Sequence, residues 1–358
     1  MNNRQISNGK GKNGTFVTIK DIANYVGVST ATVSMVLSGS PKISDETSQK
    51  VLEAIKIFNY RPSIAARSLV LNRTGVISLV VPQIENVFMQ PFFSIALNGV
   101  YDACVENGFR LQIEVASFQF MKRKRYLRLF RERAIDGMIY IGSTASDTYL
   151  KELEKEEFPF IFAGSYLKKS SLPFVIGDNI KGGRIATAHL IKLGRKRIAH
   201  IIGNFSVPSA VDRFEGYKSE LEKHGLNFDP HLVSIGNFSH EGGYEAMKKI
   251  LKFKPDAVFV GNDIMAEGAL EAIKEAGLKI PEDISVCGMD DLPLARKTRP
   301  ALTTVRYDIY KIAYRAMQNL LNKIRGKEIK SEVLSVKLVI RDSCGAKKKG
   351  IFTRSSHA

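Results

Sequence analysis

VTIKDIANYVGVSTATVSMVLSGSPKISDETSQKVLEAIKIFNYRPSIAARSL, residues 17–69, opens with three short helical patterns. Thr18 is placed to cap a first helix, and Asp21, three positions on, completes a capping-box start. Ile19, Ile22, Ala23 and Val26 recur at helical spacing and give that helix one apolar face. Gly27 ends it, because glycine takes a left-handed backbone without a Cβ penalty. Ser29 caps a second helix that turns Val33, Val36 and Leu37 inward. SGSPKIS (38–44) then breaks the chain before a third helix over about 45–58, with Val51, Leu52, Ile55 and Phe58 on one side.

On the second helix, Thr30, Ala31, Thr32, Ser34 and Met35 fall on the side away from the apolar positions. A helix short and polar at its N-terminal end enters the DNA major groove while its other face packs on the first helix. A helical hairpin used only for packing is the other reading of the pattern. The charge balance, 53 Lys and Arg against 36 Asp and Glu for a formal +17, favours a polyanionic partner. Basic side chains that neutralise phosphates release condensed counterions.

From Gly75 onward short apolar runs alternate with amphipathic stretches. GVISLVV (75–81), RLQIEV (110–115), GMIYIG (137–142), PFIFAG (159–164), RIAHIIG (197–203), DAVFVG (256–261) and ISVCG (284–288) have the length and composition of buried parallel strands. Helices between them end in Gly108, Gly194, Gly225 and Gly277. The alternation predicts a doubly wound α/β architecture, and about 270 residues are enough for two sheets.

Other classes find little support. At 358 residues, 44% of them hydrophobic, the chain suits a small module joined to a large one. There is no run of about 18 uncharged apolar residues, so no transmembrane helix is expected. MNNRQISNGKGKNGTF (1–16) lacks the apolar core of a secretory signal and reads as a disordered polar tail, which points to the cytoplasm. Cys104, Cys287 and Cys344 are too dispersed for a disulfide framework or a zinc site. Gly9, Gly11 and Gly14 form a GxGxxG with no strand before it and no helix opening on it. GxxxxGK[ST] and HExxH motifs are missing, and His200, His224, His231 and His240 lack metal-ligand spacing. No catalytic residue, cofactor or metal is therefore expected. MKRKRYLRLFRERAID (121–136) sets Leu127, Phe130 and Ile135 among basic residues and suits either a solvated helix face or a dock for an acidic partner.

The helical segment resembles the headpiece of the lactose-repressor/galactose-repressor family through TIKDIA, the GVS turn, TVS, NYRPS and ARSL. The likeness continues to about residue 344 through FVIGDN, RFEGY, GNDIMAEGAL, CGMDD, PALTTVR and VIRDSC. It implies an all-α helix-turn-helix headpiece plus an α/β periplasmic-binding-protein-like domain of two doubly wound subdomains. The expected layout is a tail at 1–16, the headpiece at 17–62, a hinge helix and linker at 63–74, an effector-binding and dimerisation domain at 75–345 and a basic flexible tail at 346–358. By resemblance, Thr30, Ala31 and Met35 read bases and Ser29, Thr32 and Ser34 lie near phosphates. Met35 stands where other members carry a long or aromatic polar side chain, so an apolar contact replaces hydrogen-bonded readout there. Ala66 and Leu69 match the hinge helix that enters the minor groove, with Leu69 as a wedge between base steps.

The resemblance also places an effector in a cleft beyond the C-terminal strand ends. Phe92, Phe93, Asp178, Ser209, Arg213, Phe238, Asn262, Asp263 and Asp290 are its candidate residues. Each has a plainer alternative: Asp263 suits helix capping equally well, Arg213 an ion pair, and the two phenylalanines the core. The purine-sensing branch carries a charged donor where Val207 stands, which argues against a purine. A sugar or sugar phosphate is the expected effector of a homodimer bound to a double-stranded DNA operator, with a phosphorylated carrier protein as the alternative co-regulator. A solute-binding protein, which the second domain alone would allow, is the rival function.

Overall fold

The computed structural model describes residues 17–60 and 73–346. The expected tail at 1–16 and the hinge residues Ala66 and Leu69 lie outside the described residues, as does the C-terminal tail beyond Ala346. No helix among the described residues is long and apolar enough to cross a membrane.

Helices α1 (Ile19–Val26), α2 (Thr30–Leu37) and α3 (Asp45–Ile57) form the headpiece. The capping box exists as read: the Thr18 N–H and hydroxyl donate to Asp21 Oδ2 at 2.9 and 2.8 Å. Gly27 ends α1 at φ 75°. Ile22, Ala23, Val33, Val51, Ala54 and Tyr60 make the buried core. Two expected core residues are corrected, because Leu37 is 37% and Leu52 48% exposed. With Val51 and Ala54 facing inward, Leu52 sits about 100° further round α3 and is turned to solvent. Leu37 occupies the final position of α2.

The remainder builds two six-stranded sheets. The first has the order β11-β5-β4-β3-β1-β2, formed by β1 (Val76–Pro82), β2 (Arg110–Ala116), β3 (Gly137–Ile141), β4 (Phe160–Ala163), β5 (Phe174–Gly177) and β11 (Glu332–Leu334). The second has the order β12-β10-β9-β8-β6-β7, formed by β6 (Ile198–Ile202), β7 (Val233–Ile235), β8 (Ala257–Val260), β9 (Ser285–Asp290), β10 (Thr303–Arg306) and β12 (Lys337–Val339). All pairings are parallel except β10 with β12. The chain passes between the sheets after β5, after β10 and between β11 and β12. The expected helix-ending glycines Gly108, Gly194, Gly225 and Gly277 all have φ between 68° and 81°.

One expected buried strand is different. β2 is an edge strand, paired only with β1, and its Ile113 and Val115 are each 44% exposed. The basic run folds as two short helices, Phe118–Lys122 and Arg125–Arg131, broken at Lys124 with φ 48°. Leu127 and Phe130 are buried there. Arg125 pairs with Glu114 at 2.7 Å, Lys124 with Glu152 at 3.0 Å and Arg128 with Glu132 at 2.6 Å, and Arg131 pairs with Glu156. Much of the basic charge is thus answered within the domain, which favours the solvated-face reading.

Candidate DNA-reading helix and effector cleft

Helix α2 is presented by its cap and its single buried residue. The Ser29 hydroxyl accepts from the Thr32 N–H at 3.0 Å and lies 2.9 Å from Thr32 Oγ1, so one O–H of the pair stays available. Val33 is fully buried and pins the inner face, while Thr30 and Ala31 are exposed and Thr32, Ser34 and Met35 half-buried. No charged side chain lies on α2. The outer face is therefore small, neutral and open, with the Met35 thioether as its largest side chain.

In the larger unit, a cavity of about 250 Å³ lies beyond the C-terminal strand ends of the two sheets. Glycines at those strand ends make room for its aromatic walls. A Cβ on Gly142, after β3, would come within 2.9 Å of the Phe93 ring, and one on Gly164, after β4, within 2.8 Å of Phe92. A Cβ on Gly203, after β6, would come within 2.1 Å of Phe238. Gly142 and Gly164 also have φ of 73° and 68°, a backbone few other residues adopt. Phe92 and Phe93 stand edge to face with centroids 5.1 Å apart.

The charged groups come from the side of the second sheet. Arg213, on the helix Pro208–Lys223, is buried; its Nε donates to Asn179 Oδ1 at 2.9 Å and its Nη1 to the Gly261 carbonyl. The guanidinium also lies 5.2 Å over the Tyr307 ring. Its Nη2 is 3.5 Å from Asp290 Oδ1, near enough for attraction between charges yet not hydrogen-bonded, and that buried oxygen has no hydrogen-bond partner. Burial pushes the Asp290 carboxyl up to about 6, against the pull of Arg213. Asp290 has φ 116°, a conformation L residues rarely hold unless the surroundings impose it. Its neighbour Asp291 is fully answered, by Arg306 at 2.7 Å and by Arg341.

Of the candidate effector residues, Phe92, Phe93, Ser209, Arg213, Phe238, Asn262 and Asp290 line the cavity together. Asp178 and Asp263 do not. Asp178 accepts from the Lys181 N–H at 2.9 Å and caps the helix Asn179–Lys192. Asp263 is fully buried and accepts from the Thr304 hydroxyl at 2.6 Å and the Leu292 N–H at 2.8 Å, which ties down the loop after Asp290. Burial raises its pKa well above the carboxylate range, helped by the nearby Asp290. The helix cap weighed for Asp263 belongs to Asn262, whose Oδ1 accepts from the Met265 N–H at 2.9 Å. Gln90, Thr144, Ser165 and Asn237 also reach the cavity and were not among the candidates. Thr144 and Ser165 follow strand-end glycines in GST (142–144) and GS (164–165), a position that could have marked them.

Residues 18–63 match the family described as bacterial regulatory proteins, lacI family, and residues 187–344 match a periplasmic binding protein-like domain. The chain is 35% identical over 331 residues to the HTH-type transcriptional repressor PurR of Histophilus somni (strain 129Pt), covering 91% of this chain and 98% of that one. It is 33% identical over 339 residues to the HTH-type transcriptional repressor CytR of Escherichia coli (strain K12), covering 94% and 98%. Among solved structures, the lac repressor dimer bound to operator and the anti-inducer ONPF superposes with a TM-score of 0.79 at 26% identity, covering 92% of this chain and 99% of that one. A transcriptional regulator CelR–cellobiose complex gives 0.70 at 30% identity, covering 91% and 99%. These relatives are transcriptional regulators, not enzymes.

Proposed function

Because the chain belongs to the lacI family of bacterial regulatory proteins, DNA-binding transcriptional regulators with an effector-binding C-terminal domain, we propose that it is a cytoplasmic repressor whose dimer reads a palindromic operator. Thr30, Ala31 and Met35 contact base edges, and Ser29, Thr32 and Ser34 contact phosphates. A small carbohydrate-like effector occupies the cleft between the sheets and sets the spacing of the two headpieces. Such a ligand shifts the DNA-binding equilibrium by its differential affinity for the two states of the domain. The observation that carries the reading is the coexistence in one chain of an open, uncharged α2 face and a cleft lined by aromatic rings and the buried Arg213–Asp290 pair. A solute-binding protein has no use for the first of these.

Genome-wide mapping of binding sites, followed by selection from a randomised operator library, tests the DNA-reading half. Met35→Arg is expected to alter base preference more than nonspecific affinity, since a guanidinium supplies the bidentate contact to guanine that a thioether cannot. Unchanged preference at every operator position overturns the role of Met35. Leu69→Ala is expected to reduce operator bending in a circular-permutation gel assay if Leu69 is the minor-groove wedge.

A further inference from the structure

The headpiece does not carry the positive charge of the chain. Between residues 17 and 60, Lys20, Lys42, Lys50 and Lys56 are matched by Asp21, Asp45, Glu46 and Glu53, so the three helices are neutral as a group. The formal +17 therefore lies outside these residues. Attraction to DNA grows with the number of phosphates that cations neutralise, and a neutral reading module leaves that task to other parts of the molecule. Arg4, Lys10, Lys12, Arg61 and Arg67 flank the headpiece in sequence and lie outside the described residues.

A further group stands on the first sheet, at the edge where its strands begin. β1 starts at Val76, where the chain arrives from the headpiece, and Val76 pairs there with Arg110, the first residue of β2. β3 starts at Gly137, packed so closely on the end of the helix Ile309–Ile324 that a Cβ would come within 3.0 Å of Leu320 and Ile324. The Phe174 N–H donates to the Ser331 hydroxyl at 3.3 Å, which brings the segment entering β11 to the start of β5. Lys323, Arg325, Lys327 and Lys330 thus share this edge with Arg110, and Arg325 donates to Asn107 Oδ1 at 3.4 Å. All of them are exposed except Lys323, which is half-buried. From Lys323 to Lys330 four cations stand against one acid, Glu328, and the neighbouring strand starts add Glu106 and Glu157. A helix dipole favours cations in the last turn for stability alone, which accounts for Lys323 and Arg325 but not for Arg110, Lys327 or Lys330. Five strand spacings of about 4.8 Å separate β11 from β2, so the row extends about 24 Å, the length of about seven base pairs. The effector cavity lies beyond the opposite ends of the strands, so this edge faces away from it. We infer that the strand-start edge of the first sheet is a DNA-contacting surface that neutralises phosphates flanking the operator. The inference rests on the reading of the chain as an operator-binding regulator and adds a second contact to the one made by α2.

The test uses the full chain and the tightest-binding sequence from the randomised library, as a duplex of about 20 base pairs and centred in one of about 40, titrated by fluorescence anisotropy over about 50 to 300 mM NaCl. Wild type is expected to bind the longer duplex at least about tenfold more tightly at the low-salt end. Its log K should also fall more steeply with log salt, by about 2, which corresponds to about one added phosphate contact per subunit of a dimer. The combined variant Arg110→Gln, Arg325→Gln, Lys327→Gln and Lys330→Gln is expected to bind both lengths alike, with affinity for the shorter duplex and thermal unfolding unchanged, since all four side chains are exposed. Lys192→Gln, Lys196→Gln, Lys252→Gln and Lys254→Gln together remove the same charge from exposed positions around the second sheet, and this variant is expected to keep the preference for the longer duplex. Equal binding of both lengths by wild type, or an equal loss in the two variants, overturns the inference and leaves α2 as the reading helix. If the selection recovers no duplex at all, the operator-binding reading falls with it.

Discussion

Where the first sheet faces the cavity it presents Pro82, Ile84, Phe92 and Phe93, and its polar contribution is limited to Gln90, Thr144 and Ser165; the second sheet presents Arg213, Asp290, Asn262, Asn237 and Ser209 beside Val207, Phe238, Ile264 and Leu292. The apolar wall contributes non-directional affinity in proportion to the surface it covers. Hydrogen bonds and charges on the opposite wall are directional and tied into buried structure, so they fix how a ligand sits and cannot be altered piecemeal. Graded losses are therefore expected on the first side and cooperative ones on the second.

The largest effect should come from cutting the polar network. Arg213→Met removes the partner of Asp290 and leaves Asn179 Oδ1 and the Gly261 carbonyl without their donor, at a cost of about 3–5 kcal/mol of unfolding free energy in urea titrations. Adding Asp290→Asn should restore a good part of that loss, because the uncompensated buried charge is gone. A double variant as unstable as the simple sum would show that the two residues do not act as a unit.

The second sheet should also be the acid-sensitive one. His200 on β6 is fully buried against Phe214, Tyr217 and Phe259, and burial lowers its pKa to about 3. The unfolded chain takes up this proton below about 6.5, whereas the folded protein resists it down to about 3. Stability is thus fully present above that upper value and falls as the pH drops, by at most about 1.4 kcal/mol per unit. His200→Phe should shrink the stability difference between pH 7 and pH 5 by about 2 kcal/mol. Hydrogen exchange at pH 5 should show β6 and β8 losing protection before β1 and β3. Equal loss in both sheets would erase the contrast.

Smaller effects are expected at the ligand. Phe92→Ala should weaken effector binding about tenfold while leaving the fold intact, because it trims an apolar wall without stranding a polar group. For a ligand that donates to Asp290, affinity should decline as pH falls below about 6, where the carboxyl is protonated in the free protein, by up to tenfold per unit. Arg213, Asp263 and Tyr307 are the groups that share this titration electrostatically. Affinity flat from pH 5 to 8 would mean that the ligand bypasses Asp290.

Much was legible before the fold was known. Thr18, Asp21, Gly27 and Ser29 are local signals whose hydrogen bonds span four residues or fewer, so they could be read directly. Seven strands were recognised by their continuous apolar runs. Phe174–Gly177, Val233–Ile235, Thr303–Arg306, Glu332–Leu334 and Lys337–Val339 were not picked out; three of them have only three residues, too few for a pattern to register, and Thr303–Arg306 carries polar residues at three of its four positions. Seven of the nine candidate effector residues meet at the cavity, whereas Asp178 and Asp263 share their strand-end position and yet turn to backbone N–H groups and a buried threonine.

The sequence by itself determined the helix-turn-helix, the alternation of strands and helices and the strand-end glycines, because each depends on residues close together in the chain. Only the tertiary structure decided which carboxylate is left without a donor. Asp263 is satisfied by Thr304 and Leu292 and Asp291 by Arg306 and Arg341, whereas Asp290 Oδ1 accepts no hydrogen bond and faces the Arg213 guanidinium at 3.5 Å. Three acidic residues of similar local setting are separated by partners that lie up to 50 positions away along the chain, and hydrogen bonds over that distance exist only once the second sheet has closed.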